Sequence, residues 1–188
     1  MISSKDRSYY IGASDTSFVV GNWETKSFAR WYGVKQGIYE MDYTNVSMMA
    51  GTYYEHRILD SLGLPGLTKD RQIINGRLRI NLDGNTLDKI YEVKTYRHEK
   101  GFHVPKKYRE QVQVQMYGSK IYKACIVAYG LQEGDYRNFY HDIDPKRRSI
   151  HEIEYDSEFI EKIYLPRYWH LCRCLDQGRF PKVSDIRE

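Results

Sequence analysis

The chain has 188 residues, 41% of them hydrophobic, so it can bury one good core, and a single domain spanning 1–188 is the expected organisation. Its three cysteines are too few and too poorly spaced for a disulfide framework or a four-cysteine metal site. There is no basic-then-apolar signal segment and no apolar run of about 18 residues, which predicts neither secretion nor a membrane span. A reducing cytoplasm is expected. The net charge of +4 is too small to indicate a partner by itself.

The first third of the chain predicts helices. A Ser, Asp and Thr cluster can cap a short helix at 14–20, and a second short helix at 27–32 ends at Gly33. A longer helix is predicted at 44–62, with Gly63 as its stop. The apolar stripe predicted for it consists of Met48, Met49, Ile58, Leu59 and Leu62.

Three strands should follow these helices. Short alternating apolar runs predict them at 71–74, 78–82 and 89–96. The pairs Asn75-Gly76 and Gly84-Asn85 separate them and are typical of hairpin turns. An antiparallel meander is therefore expected.

The second half of the chain alternates helix and strand. Its predicted elements are a helix from Pro105 to 119, a buried strand at 124–129, an edge strand at 137–143 paired with 150–155 through an Asp144-Pro145 turn, and a helix at 156–178. Pro166 should kink or split the last helix, because proline removes a helix hydrogen bond. The sum is an α/β fold (α+β in its mixed sheet), with a central mixed β-sheet flanked by helices on both sides.

The most informative stretch runs from 79 to 97. Strand neighbours alternate faces, so Glu92 and Lys94 must point the same way while Val93 points into the opposite layer. A reversal at Gly84-Asn85 would bring Asp83 back toward Glu92. Two carboxylates and an ammonium then converge, which suits a hard divalent cation with a lysine holding or activating a water. The chemistry indicated is phosphodiester hydrolysis.

The same string of acids and lysine also arises by chance on the solvated face of a hairpin. Its apolar context favours the metal site, because Ile80, Leu82 and Val93 give the alternation of real strands around the acids. Asp88 is a weaker competitor to Asp83, since it precedes a lysine and is typical of a solvated turn acid.

Glu55 is the third acid of interest. It shares a helical stripe with Gly51 and Leu59, so its side chain should be half-buried. A half-buried glutamate needs a partner. A metal or its water would supply that partner, and the alternative is a helix-surface glutamate paired with Arg57 or with the neighbours of His56.

Three glutamines alternate with apolar residues in the middle of the helix predicted from Pro105 to 119. Of Gln111, Gln113 and Gln115, only the first and last share a face, because they are four residues apart. A neutral amide there can orient a water or a phosphate oxygen without competing for a cation.

Basic clusters lie at 97–100, 106–109 and 146–148, and the chain contains eighteen tyrosines. Cations on phosphates with aromatic rings on bases or sugars form a nucleic-acid groove. Ordinary solubility charge and a tyrosine-rich core are the alternative for each cluster taken singly.

Five collinear motifs resemble the lambda-exonuclease-like (YqaJ) viral recombinase family of PD-(D/E)XK nucleases. They are Arg7 with Ile11 to Asp15, Gly51 to Glu55, Leu82-Asp83-Gly84, Glu92-Val93-Lys94 and Tyr108 to Met116. The match covers roughly 7–130, and Leu82 stands where the family name has proline.

The resemblance implies a restriction-endonuclease-like core and a Mg²⁺-dependent nuclease, with Mn²⁺ as a substitute. Such an enzyme degrades one strand of double-stranded DNA from its 5′ end and leaves a 3′ overhang for a single-strand annealing protein. A ring-shaped homotrimer, in the cytoplasm of a bacterial or phage-infected host cell, is the implied setting.

The resemblance also implies roles for individual residues. The implied metal ligands are Asp83, Glu92, the Val93 carbonyl and Glu55, the last directly or through water. The residues implied to position or activate the attacking water are Lys94 and Gln111. The residues implied to bind the terminal 5′ phosphate are Arg7 and Ser14.

Two rival functions remain open. One is an endonuclease of the same core, of restriction, repair or structure-specific type, although an endonuclease needs no pocket for a terminal phosphate. The other is a non-catalytic DNA-binding protein, against which the joint presence of Asp83, Glu92 and Lys94 argues.

Overall fold

A computed structural model describes residues 8–40 and 45–186. Its main elements are β1 (Ile11–Gly12), α1 (Thr16–Val20), α2 (Lys26–Lys35), α3 (Val46–Asp60), β2 (Thr68–Asn75), β3 (Leu78–Asn85), β4 (Ile90–Arg97), α4 (Lys106–Ser119), β5 (Ala124–Leu131), β6 (Arg148–Ile153) and α5 (Leu165–Gln177). Short 3₁₀ helices lie at Ala13–Asp15, His98–Lys100, Glu133–Tyr136, Pro145–Arg147 and Val183–Asp185.

The six strands form one mixed sheet in which β3 and β4 separate from each other. β2 runs antiparallel along the whole of one edge of β3. The other edge is shared, since β1 pairs with Leu78 and Arg79 in parallel while β4 pairs only with Gly84 and Asn85. The edge of β3 at 80–83 therefore has no strand partner within the described residues. This gap holds the candidate site.

The rest of the sheet is regular. β4 and β5 are parallel over eight residues each, and β6 closes the sheet as an antiparallel neighbour of β5. A parallel pair needs a crossover connection, and α4 provides it. As a result, α4 lies across the face of the sheet that carries Glu92.

Helices cover both faces of the sheet, as predicted. On one face, α1, α2, α4 and α5 bury a core with β3, β4 and β5 that includes Ile80, Ile90 and Ile126. On the other face, α3 packs Tyr54 and Ile58 on the opposite side chains of β4 and β5. Cys125, Cys172 and Cys174 are all free and buried in these layers. No helix in the described part of the chain is long and apolar enough to cross a membrane.

The predicted turn at Gly84-Asn85 is wrong. Both residues lie inside β3, and the reversal is made by 86–89, where the Thr86 N–H donates to the Lys89 carbonyl at 2.9 Å. Gly84 serves packing instead, because a Cβ there would lie 2.9 Å from Cδ2 of Leu59 on α3. The glycine lets α3 lie close to the sheet.

The predicted edge strand at 137–143 is also wrong. These residues form a turn and irregular backbone, and β6 pairs with β5 alone. The carbonyls of Phe139, Tyr140 and His141 accept hydrogen bonds from the Arg57 side chain, so they are not used in a ladder. Asp144 caps the 3₁₀ helix Pro145–Arg147 instead of forming a hairpin turn.

The predicted helices are found with shifted details. α2 continues past Gly33 to Lys35, and α3 begins at Val46, whereas its predicted start at 44 lies outside the described residues. Met48 and Met49 are exposed, since Ala50 and Tyr54 take the buried face of α3 in their place.

The predicted break at Pro166 is a change of helix type. The segment Phe159–Tyr164 is a π-helix, and α5 then runs from Leu165 to its left-handed cap at Gly178. Proline has no N–H to donate to the preceding turn, and a wider turn before it accommodates that loss.

Asp135 organises the segment after β5. Its carboxylate is 3% exposed, pairs with the Arg147 guanidinium at 2.5 Å and accepts from the Gln132 N–H at 2.8 Å, and His141 lies 3.0 Å away. Burial would raise the pKa of Asp135, but these hydrogen bonds and the charge of Arg147 outweigh burial and lower it. The carboxylate therefore stabilises the fold as an anion.

Replacing Asp135 with Asn should lower the free energy of unfolding by about 3 kcal/mol at neutral pH, because Arg147 would stay buried without its counter-charge. Since the folded pKa is lowered, this contribution is complete above about pH 4 and is lost as the pH falls through the lowered pKa. Urea unfolding at several pH values measures the difference, and Glu133→Gln, which breaks an exposed pair, is the control. Equal stability of Asp135→Asn and wild type would contradict the prediction.

Candidate active site

The gap between β3 and β4 opens into a cleft of about 370 Å³. Its walls come from the turn after β1, the end of α2, α3, β3, β4 and the start of α4. The lining residues are Tyr10, Gly12, Ala13, Ser14, Asp15, Val34, Lys35, Glu55, Arg79, Asn81, Asp83, Glu92, Val93, Lys94 and Gln111. Seven of the eight sequence-predicted site residues are in this list, and the eighth, Arg7, lies outside the described residues.

Glu92 lies at the centre of the site and is 2% exposed. Its Oε1 accepts hydrogen bonds from Lys94 Nζ and from Gln111 Nε2, both at 2.5 Å. Its Oε2 accepts from Gln115 Nε2 at 2.6 Å. The predicted common direction of Glu92 and Lys94 is therefore confirmed, and Val93 packs on the opposite face.

Asp83 reaches across the gap to β4. The Val93 N–H donates to Asp83 Oδ2 at 2.8 Å, which replaces the missing ladder bond between the two strands. Burial, then the charges of Glu92 and Glu55, raise the pKa of Asp83 well above its usual range. The Asp83 carboxylate is thus held in a site that already contains negative charge. Asp88, by contrast, is a turn acid bonded to Thr86, as expected.

Glu55 enters the cleft from α3. Burial, followed by the charge of Glu92, raises the pKa of Glu55. The alternative ion pair with Arg57 is not formed, because the Arg57 guanidinium binds backbone carbonyls elsewhere. Beside the cleft, one ligand atom each of Glu55, His56 and Asp70 lie within 4.8 Å of one another, and His56 already pairs with Asp70 at 2.8 Å.

Lys94 remains protonated in this site. Burial would lower its pKa, but the carboxylates of Glu92 and Asp83 outweigh burial and raise it. The ammonium also lies 4.8 Å from the centre of the Tyr108 ring. A group held in the ammonium form donates hydrogen bonds and does not accept a proton, so Lys94 can orient a water but is poorly suited to act as a base.

These residues fit a divalent cation. Glu55, Asp83 and Glu92 place three carboxylates in one cleft with a single ammonium, and the pKa values of Glu55 and Asp83 are both raised by the charge of Glu92. A cation with oxygen ligands would remove this repulsion. Oxygen-only ligands of this kind are those that Mg²⁺ and Mn²⁺ prefer.

A second wall of the cleft is built around Asp15. Its Oδ2 accepts from the Gly12 N–H at 2.9 Å and pairs with Lys35 at 2.9 Å, while Oδ1 accepts from the Trp31 indole at 3.0 Å. These bonds fix the 3₁₀ turn Ala13–Asp15, which presents the exposed Ser14 at the rim. The predicted Ile11 to Asp15 motif is therefore part of the cleft.

Arg79 adds a cation to the same wall. Its guanidinium lies 5.5 Å from the centre of the Tyr10 ring, and no carboxylate of the described residues forms an ion pair with it. Together with Ser14, it adds hydrogen-bond donors to the lining of the cleft. The cleft therefore contains carboxylates that suit a cation and donors that suit an anion.

Sequence reasoning missed three residues of this site. Gln115 was recognised only as sharing a face with Gln111, although it bonds both Glu92 and the Asn81 carbonyl. Lys35 and Arg79 were not identified at all. A usable signal existed for Arg79, which is four positions before Asp83 on the same strand and so lies on the same face.

No protein-family model and no curated protein matches the chain. Solved structures do. An alkaline exonuclease, LHK-Exo from Laribacter hongkongensis, superposes with a TM-score of 0.70 at 18% identity over 93% of this chain and 91% of that chain. Its complex with dAMP gives 0.66 at 17% identity, covering 93% of each chain. A phage-related exonuclease from Haemophilus somnus 129PT gives 0.65 at 16% identity, over 95% of this chain and 96% of that chain.

The chain thus has the fold of these exonucleases over nearly its whole length. The likeness of fold to these exonucleases also includes the region after 130, where the sequence motifs end. The expected core, a mixed sheet with helices on both faces, is the one observed.

Adding Mg²⁺ or Mn²⁺ should raise the melting temperature, because the cation replaces like-charge repulsion with attraction. At a hundred times Kd the gain is about 2.7 kcal/mol, roughly 5–10 °C for a chain of this size. Because the pKa values of Glu55 and Asp83 are raised, these carboxylates take up protons as the pH falls, and protonation reduces their repulsion in the cation-free protein. Protons then compete with the cation for the same oxygens. The shift should be large at about pH 8 and shrink toward about pH 5. Thermal melts test this, and the absence of any shift at either pH would contradict it.

Proposed function

We propose that this protein is a Mg²⁺-dependent deoxyribonuclease that degrades double-stranded DNA in the 5′-to-3′ direction from 5′-phosphorylated ends, with Mn²⁺ as a substitute. The observation that carries the proposal is the convergence of Asp83, Glu92, Glu55 and Lys94 in a single cleft. The alkaline exonuclease and the phage-related exonuclease described above share this fold, and their names support the same class of reaction.

The cation would be held by the carboxylates of Asp83, Glu92 and Glu55, with the Val93 carbonyl assisting. When bound, it supplies positive charge that stabilises the negative charge developing on the phosphate during hydrolysis. Glu92 must be correctly oriented for this, and its three donors, Lys94, Gln111 and Gln115, fix the direction of its carboxylate.

Lys94 and Gln111 supply the donors on the water side of the reaction. Both contact the same oxygen of Glu92, so their remaining N–H groups lie beside the carboxylates, where an attacking water would be oriented. Lys94 also places a positive charge next to the scissile phosphate, which favours the more negative transition state.

The donor wall of the cleft would bind the terminal 5′ phosphate. Ser14 and Arg79 provide a hydroxyl and a guanidinium there, and Arg7 is proposed as a further contact from the sequence motif. A phosphate anchored on that wall holds the strand in register with the acids. The complex of LHK-Exo with dAMP is consistent with recognition of a nucleotide by this fold. A single-strand annealing partner and a ring-shaped trimer belong to the same proposal.

Asp83→Asn, Glu92→Gln and Lys94→Ala should each slow digestion of linear duplex DNA by at least about 100-fold. Asp83→Asn and Glu92→Gln each remove a carboxylate charge with little change of volume, whereas Lys94→Ala removes the ammonium together with most of the side chain. Asp88→Asn is the matched control, because Asp88 is an exposed turn acid outside the cleft and its rate should not change. Release of nucleotides in Mg²⁺ buffer is the measurement. Wild-type rates for any of the three would place the active site elsewhere.

End chemistry distinguishes an exonuclease from the rival endonuclease. If Ser14 and Arg79 bind the terminal phosphate, a 5′-hydroxyl duplex should be digested about 10- to 100-fold more slowly than a 5′-phosphorylated one, since a charge-assisted contact contributes roughly 1.5–3 kcal/mol. Arg79→Ala should reduce that preference. Closed circular DNA should remain intact. Equal rates on both ends, or nicking of circles, would instead indicate an endonuclease, and binding without cleavage would indicate a non-catalytic protein.

A further inference from the structure

The segment 133–147 follows β5 and contacts α3, the helix that carries Glu55. It takes no part in the cleft, because none of its residues lines it. Its polar contacts with α3 come from two helix residues, Tyr54 and Arg57, which flank Glu55 in sequence. The segment therefore touches the helix immediately beside a proposed metal ligand.

Arg57 makes the larger set of contacts. Its Nη1 donates to the Phe139 carbonyl at 2.9 Å, and its Nη2 donates to the Tyr140 carbonyl at 3.2 Å and the His141 carbonyl at 2.5 Å. A planar guanidinium that bonds three successive carbonyls fixes both its own direction and the path of the backbone.

Tyr54 makes the second set. Its ring is fully buried between α3 and the sheet, and its hydroxyl donates to the Asn138 carbonyl at 3.0 Å, with Asp135 Oδ1 at 3.3 Å. The ring holds α3 on the sheet, and the hydroxyl ties it to the segment.

The segment is itself anchored to β5. Arg147 pairs with Asp135 and donates to the Gly130 carbonyl at 3.3 Å, and the Asp144 N–H donates to the Tyr129 hydroxyl at 3.1 Å. The carbonyls that Arg57 binds are therefore part of a structure fixed to the centre of the sheet. β5 is also the neighbour of β4, which carries Glu92.

Glu55 and Arg57 lie on opposite flanks of α3. Two positions along a helix correspond to a rotation of about 200°. Glu55 faces the cleft while Arg57 faces the segment, and Gly51 allows close approach to Thr95 of β4 on the cleft side, where a Cβ would lie 3.4 Å from its hydroxyl. Rolling of the helix would move Glu55 away from Asp83 and Glu92, and it would also break the Arg57 contacts.

We propose that the segment 133–147 positions Glu55 for cation binding and that Arg57 is the positioning residue through which it acts. The inference rests on the proposed function, because it takes Glu55 as a ligand. It assigns a role to a part of the chain for which no sequence motif gave one.

The test measures Mn²⁺ binding by isothermal titration calorimetry on the full-length protein without DNA. Arg57→Ala should weaken binding about tenfold. Arg137→Ala is the matched control. This arginine lies in the segment 133–147 and, among the described residues, its one ion pair is with the exposed Glu133, so the variant should bind Mn²⁺ as wild type does. In a Glu55→Gln background, Arg57→Ala should cause no further loss, because the ligand it positions is already gone.

Three results would overturn the inference. Wild-type affinity in Arg57→Ala would reject it while leaving the proposed function intact. An equal loss in both backgrounds would show general damage to the site. No Mn²⁺ binding by wild type would reject the proposed function and this inference together.

Circular dichroism checks that each variant folds. If Arg57→Ala does not fold, Tyr54→Phe, which removes only the hydroxyl, should show a smaller loss of Mn²⁺ affinity.

Discussion

The buried carboxylate of Glu92 is the constraint on which the rest of the structure depends. An ionised group that is 2% exposed is tolerated only when its oxygens are bonded, because an unpaired buried charge costs several kcal/mol. Lys94 comes from the same strand, but Gln111 and Gln115 must be delivered by α4. The parallel pairing of β4 with β5 meets this need, since it requires a crossover helix on that face.

The acidic half of the site was predictable because it follows local periodicity. Alternation along a strand places Glu92 and Lys94 on one side, and spacing of four along a helix places Gln111 and Gln115 together. The donor wall was not predictable in the same way. Lys35 enters the cleft through a bond to Asp15 twenty positions earlier, which only the packed helices determine.

The errors in the predicted fold have one physical origin, tertiary contact overriding a local signal. Gly84 carries the signature of a turn, yet it sits in a strand because Leu59 occupies the space a side chain would need. The apolar and aromatic residues near 139 alternate like a strand, yet Arg57 takes their carbonyls. Both errors involve α3. The helix that supplies Glu55 thus determines the conformation of the chain at both places. A short stretch of sequence around either place does not contain that information.

The three buried cysteine thiols can report local unfolding of the layers that cover them. Burial raises the pKa of Cys125 and of Cys172 to about 11, so neither reacts with a thiol reagent while covered. Cys125 lies on β5 beside the strand of Glu92, whereas Cys172 lies on α5. Labelling rates at the two positions therefore separate exposure of the sheet beneath the cleft from detachment of the last helix, and show whether the two occur as one cooperative unit.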